Sequence, residues 1–587
     1  MATKLITNYF RLHNVKQFKE SINETANSVY YVFAGHSTPY ATGDDTLPAL
    51  TNDVNTTNYD PYQKMVFGKR VQASDAVTLI PRHDWTANTI YTSYRSDADI
   101  TSNSFYVGVA TESAYHVFKC LDNNNGAPSL YAPSLAETSA DDEYYSTNDQ
   151  YVWKYMYSVD TAVFDKFATD AYVPVVANSA VTGNAVSGAI DAITVGYSGS
   201  DYNTYIANTF ISTDLRVGGN PVKYSIANNA VASNNFYTGS VLYITSGTGY
   251  GQGRKIVDYV VVGSTKTVTI ESAFTTEPDV TSSYEITPGV LIVGDGSNAS
   301  ARALVNTAAA NSIYGVEIIQ RGRNYSYATA TVTGNTSGAT NNAIVNVVLG
   351  PKNGHGSDPE YELGGHAVGI SVTFSTDESN TIPISNDYRQ IGILKDPLYA
   401  NVNFTIATAS GAYEIGETVI QETTGAQGIV TEFNGLNEIQ VTNASGVFLN
   451  GYLLVGQTSN TTANVSSFTI NGIAKNFNTF DQRRKFTYTP IEGTFIEDEQ
   501  VYQTDVQLAN GYFHSNNSNY IYLTDVRGTL NTGNTLIGQN SGASANLLFA
   551  YPPDIVVGSG EVLYLENQSP VSRSNSQSEI IKLILQF

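Results

Sequence analysis

The stretch Asp387–Pro397, DYRQIGILKDP, sets Ile391, Ile393 and Leu394 beside Arg389, Lys395 and Asp396. On either side run long segments rich in Gly, Ser, Thr, Asn and Ala with few charges. The stretch thus reads as an island between two inserts. Its compositional kin are the chain up to about Val176 and the segment Gly560–Phe587. These pieces form one discontinuous body with two β-rich segments spliced into it. The expected divisions are body 1–177, first insert 178–361, body 362–400, second insert 401–556 and body 557–587.

A length of 587 residues accommodates several domains. Hydrophobic residues make up 41%, enough for real cores, but charged residues only 14%. The polar surface therefore comes from Asn, Thr, Ser, Gly and the 41 tyrosines. That is the palette of strands and tight turns rather than helices. The expected fold class is mainly β: a multi-domain sandwich or barrel body with a few short helices and two inserted all-β regions. A net charge of −23 disfavours nucleic acid as a partner. No apolar run is long enough for a transmembrane helix, so no membrane insertion is expected. The lone Cys120, in the strand-like HVFKCLD, reads as a buried structural thiol.

Residues 5–12 read as a strand, and Asn14 as the cap of a short helix over 15–25. Strands are expected at 29–35, 105–110, 115–121, 151–159, 560–567 and 580–587, while 77–85 is an extended run broken by Pro81 and 172–176 closes the first part of the body. Asp60-Pro61 and Asp160 are read as helix starts with carboxylate caps. The segment 151–159, aromatic or β-branched at nearly every position, suits a strand covered on both faces. In the first insert, residues 189–202 repeat 123 positions later: Gly199 matches Gly322 and Tyr202 matches Tyr325. In the second, 439–459 aligns without a gap on 521–541, placing Gly446, Gly451, Gly456 and Gln457 on Gly528, Gly533, Gly538 and Gln539. Recurrent glycines point to the same positive-φ turns made twice.

Signals for chemistry are weak. SGTGYGQGRK (246–255) lacks P-loop spacing and reads as a hairpin turn. The seven histidines show no zinc spacing. The acidic clusters at 44–45, 141–143 and 497–499 lack EF-hand spacing and read as solvated loops. Arg82 and Asp84 read as an ion pair fixing a loop near Trp85. No catalytic residue, cofactor or metal ligand is assigned.

The body segments resemble the baseplate wedge subunit 8 family of T4-like contractile-tailed phages. The resemblance is carried, in order, by FAGHSTPY (33–40), IPRHDW (80–85), VFKCLDN (117–123), YVWKYMY (151–157), YRQIGILKDP (388–397), GEVLYLENQSP (560–570) and the terminal SEIIKLILQF. It leaves both inserts uncovered, an enlargement that suits a cyanophage. It implies a mostly β structural subunit of the virion tail baseplate, made in the host cytoplasm, homodimeric and without catalysis. The implied partners are wedge subunits of the 7, 10 and 6 types. Trp85, Tyr151, Trp153, Tyr155, Arg389 and Asp396 are the candidates for framework or interface. The alternative reading is a receptor- or glycan-binding tail adhesin.

Overall fold

The computed structural model describes residues 7–24, 28–50, 59–96, 104–135, 145–202, 204–210, 216–218, 222–333, 341–378, 382–384, 387–470, 472–475, 477–504, 509–574 and 576–587. The acidic triplet 141–143 lies outside them. The chain is mainly β, organised as antiparallel sheets and two closed barrels. It divides into two compact units, one comprising 1–13, 78–367 and 587, the other 14–77 and 368–586.

The N-terminal expectation needs correcting. Asn8–Asn23 is a helix, not a strand followed by a later helix. Apolar density over 5–12 suggested a strand, but the residues that become buried are Leu12, Val15 and Ile22, spaced for a helical face. Tyr9 and Phe10 are left exposed. The Thr7 hydroxyl accepts from Phe10 N at 3.2 Å, serving the first turn. Asp60 is likewise not a cap: Tyr59 holds that position, with Asp60 and Pro61 in the first turn of Asp60–Lys64.

In the first unit a meander sheet has the order Tyr106–Ala110, Ala114–Asn123, Tyr151–Asp160, Tyr145–Ser146. A bulge opposite Val117/Phe118 shifts the phase of Tyr151–Asp160. As a result Tyr151 and Trp153 enter one core, while Met156, Tyr157 and Val159 enter another. The strand is covered on both faces, as its apolar density requires. Asp160 accepts from Val163 N at 2.8 Å and starts the helix Thr161–Phe167.

The same unit holds a larger sheet, in the order Arg216–Gly218, Val222–Ile226, Thr265–Ile270, Gly253–Val262, Ser240–Ser246, Ser283–Gly294, Ser297–Asn306, Ser312–Arg323. Gly247, Gly249 and Gly251, all at positive φ, form the turn between Ser240–Ser246 and Gly253–Val262. The 123-residue repeat has a structural counterpart. At Gly199 and Gly322 (φ 59° and 67°) a Cβ would meet the ring of Tyr202 or Tyr325 at 2.8 or 2.7 Å. The two turns are crossed. Tyr202 N donates to Asn311 O just before the second copy, and Tyr325 N donates to Gly188 O just before the first. The return strands Tyr205–Thr209 and Ala328–Thr333 then pair with different halves of Ser283–Gly294.

In the second unit, Tyr388–Lys395 lies inside a five-stranded sheet, flanked by Tyr30–Gly35 and Glu561–Val571, with Met65–Arg70 and Thr479–Asp481 beyond. Segments far apart in sequence thus pair through the stretch DYRQIGILKDP. Its first seven strand residues are buried. Two six-stranded barrels follow, 402–469 and 484–551. Numbering each barrel's strands in sequence, both close in the order first, fourth, third, second, fifth, sixth. Between them, Ala474 and Phe480 return to the core under the sheet, where Ile555 joins them after the second barrel.

Candidate functional site

Trp85, Tyr151, Trp153 and Tyr155 come together in one aromatic cluster with Tyr91, Phe118 and Cys120. The pleat puts Tyr151, Trp153 and Tyr155 on one face. The rings of Tyr151 and Trp153 stack at 5.4 Å between centroids. The Trp85 indole N–H donates to Ser129 Oγ at 3.1 Å, and the Tyr151 hydroxyl to Ala127 O at 2.5 Å. Trp153 Nε1 is buried without a hydrogen-bond partner among the described residues. Arg82 and Asp84 pair at 2.8 Å, and Tyr115 donates to Asp84 at 2.7 Å. Burial pushes the Cys120 thiol well above its ordinary range, leaving it un-ionised and inert at neutral pH.

Arg389 and Asp396 stand in the second unit and do not join that cluster. Arg389 makes a bidentate pair with Asp44, both contacts at 2.9 Å. It also reaches Asp387 at 3.3 Å and the Ser37 carbonyl. Asp396, at φ 50°, accepts from Val29 N at 2.8 Å and from the Ser28 hydroxyl at 3.3 Å. It therefore secures the start of Tyr30–Gly35.

Sequence reasoning missed a buried ionic node in the first unit. Lys119 and Lys154 point from the meander sheet toward Asp191 of the strand Ile190–Tyr197. Lys119 Nζ lies 3.1 Å from Asp191 and 2.5 Å from Glu362; Lys154 Nζ and Arg321 Nη2 each lie 2.9 Å from Asp191 Oδ1. Glu362 also accepts from Gly356 N at 2.8 Å. His355 places Nδ1 2.9 Å from Glu362 and Nε2 2.8 Å from the Tyr155 carbonyl. Burial, the largest single influence, raises both acids, but Lys119 and the other facing groups together outweigh it. Asp191, aided by Lys154, is held well below the carboxylate range, and Glu362, aided by His355, at about 2. Burial, reinforced by Lys154, pushes His355 down. Removing Asp191 or Glu362 would strand a buried lysine, whereas the four buried charges Lys119, Lys154, Asp191 and Glu362 balance one another. The node joins Lys119 and Lys154 of the meander to Asp191 and Arg321 of 178–361. A signal was present: a lysine inside an apolar strand, as in VFKCLD and YVWKYMY, requires a buried anion.

The barrels carry a second motif, also missed. Glu417 accepts from the backbone N–H groups of Glu414, Thr458 and Ser459 and from the Ser459 hydroxyl, at 2.7–3.0 Å. Glu499 accepts from Ile496, Asn540 and Ser541 in the same way, at 2.6–3.0 Å. Every pair of equivalents is 82 residues apart. Glu499 belongs to the acidic cluster read as a solvated loop, yet it is buried. Its carboxylate fastens the 538–541 turn. Burial raises both carboxyls, but these hydrogen bonds hold them below the ordinary glutamate value. The repeated glycines serve two needs. Gly446, Gly451, Gly528 and Gly533 have φ of 76–86°. At Gly456 and Gly538 the constraint is space: a Cβ would lie 2.6 Å from Glu417 Oε2 or 2.5 Å from Glu499 Oε1.

With this geometry in hand, comparison with known proteins is informative. Residues 4–132 match the family model described as Bacteriophage T4, Gp8. This segment is similar to the T4 Gp8 family. The match includes FAGHSTPY, IPRHDW and VFKCLDN of the resemblance read from the sequence, while YVWKYMY and the later segments lie beyond it. No curated protein matches the chain. Among the described residues no helix is long and apolar enough to cross a membrane.

Proposed function

We propose that this chain is a subunit of a contractile tail's baseplate wedge and acts by binding protein neighbours during assembly and contraction. The Gp8 match over residues 4–132 carries the reading. The buried ionic node and the interlocked sheets support it, since they suit a part that transmits load rather than one that turns over substrate. In this reading the chain forms a homodimer and contacts wedge subunits of the 7, 10 and 6 types, with its place in the virion tail. The residues around Trp85 and Tyr151–Tyr155 keep the meander rigid, and Arg389 and Asp396 lock the central sheet. These six are framework residues.

Light scattering on the purified chain, alone and with wedge subunits of the same phage, tests the reading. A dimer that enters a larger defined complex on mixing is expected. A monomer or trimer that ignores those subunits would overturn the proposal and favour a tail adhesin.

A further inference from the structure

The two barrels provide an internal control for surface residues. In the first, the loop from Gly446 to Leu453 exposes Val447 (71%), Leu449 (43%), Tyr452 (41%) and Leu453 (37%). The residues 82 positions later are Thr529, Asn531, Asn534 and Thr535. The backbone path is shared. The Gln421 side chain brackets Leu449 through its N–H and C=O, both at 2.8 Å, and Gln503 brackets Asn531 at 2.8 and 2.9 Å. The one inward position is apolar in both loops, Phe448 and Leu530. The fold therefore needs an apolar residue only there. The other four apolar residues at the first barrel's tip answer no apolar requirement that the two barrels share.

Charge differs in the same direction. Residues 402–469 contain five glutamates and no Lys, Arg or His. Glu414, Glu422, Glu432 and Glu438 are exposed. Glu422 opens the turn beside the loop: its neighbour Gln421 holds Leu449, and Gly446 packs on Ala426. The equivalent of Glu422 in the second barrel is Thr504. An apolar tip with Glu422 at its edge, on a barrel that carries no Lys, Arg or His, favours a partner of opposite charge. A second copy meeting it patch to patch would set Glu422 near Glu422, and an anionic lipid surface would repel it.

We propose that the 446–453 tip of the first barrel is a docking surface for another protein that presents an apolar patch rimmed by Lys or Arg. The proposal rests on the baseplate reading above, with the partner inside the assembled particle. The full-length chain is to be compared free and in purified virions by hydroxyl-radical footprinting at Tyr452 and Leu453. A photo-crosslinking benzophenone residue at position 452 provides a second readout. Oxidation reduced about tenfold in the particle, with a crosslink to a different protein, is the expected result. Equal oxidation in both states overturns the proposal, as does a crosslink to a second copy or to lipid. Absence of the chain from purified particles overturns the baseplate reading, and this proposal with it. The variant V447T/L449N/Y452N/L453T grafts the second barrel's own residues. It should leave the melting of the free chain unchanged and cut incorporation into particles about tenfold. Unchanged incorporation refutes the proposal. If that variant fails to fold, E422T and the crosslink decide, with E422T expected to reduce incorporation at high salt less than at low salt.

Discussion

The two barrels have the same strand order and the same interior carboxylate, yet differ at their tips. Glu417 and Glu499, Gln421 and Gln503, and Gly456 and Gly538 do the same work at the same spacing. Val447, Leu449, Tyr452 and Leu453 have polar counterparts. What is common is what the fold needs; what differs is available for recognition. The comparison can be broken most severely at its centre. E417A and E499A each leave four partly buried donors without their charged acceptor. Each should cost about 3 kcal/mol or more, read as lost hydrogen-exchange protection within the affected barrel. Equal losses would sharpen the equivalence. A loss in one barrel alone would show that the shared geometry hides different energetics.

Gly456 and Gly538 come next. G456A and G538A place a methyl within 2.6 Å of the carboxylate in both barrels. The glutamate or its turn must shift, at about 2 kcal/mol each. G451A and G533A, at φ 84° and 86° with open space around them, meet only backbone strain and should cost about 1 kcal/mol. Denaturant melts of the four variants would distinguish the crowded glycines from the merely twisted ones. Similar values for all four would contradict the steric account.

These glycines also mark the limit of what the sequence discloses. Their spacing was legible because a turn is local, and a positive φ leaves a residue-type signature. The β class was legible for the same reason, in the alternation of Tyr, Val and Thr between Gly and Asn turns. Glu499 was not, because its donors at 540 and 541 lie in a distant turn, between the strands Thr535–Gly538 and Ser544–Tyr551. In one dimension it stood in a run of acids and looked solvated. The ionic node was hidden in the same way, with its members running from Lys119 to Glu362. The lysines within apolar strands signalled that an anion existed, not which one. Tyr9 and Phe10 misled in the opposite sense, being apolar residues that the helix leaves in water.

A last effect, dependent on pH, concerns Asp554, which feels both barrels. Its carboxyl accepts from Asp481 N at 2.7 Å. Burial raises it to about 7, with Asp481 and Glu432 of the first barrel adding to the rise and Lys485 of the second opposing it. A carboxyl whose folded value exceeds its unfolded value binds more protons when native. Its contribution is therefore present at low pH and is lost as pH rises from about 4 through about 7. D554N should stabilise the chain at pH 8, by about 1 kcal/mol or more, and change little at pH 5, measured as melting temperature against pH. E432Q should move the midpoint of that loss to lower pH and K485Q to higher pH. If neither charge moves it, burial alone sets the value, and the barrels do not communicate through this carboxyl.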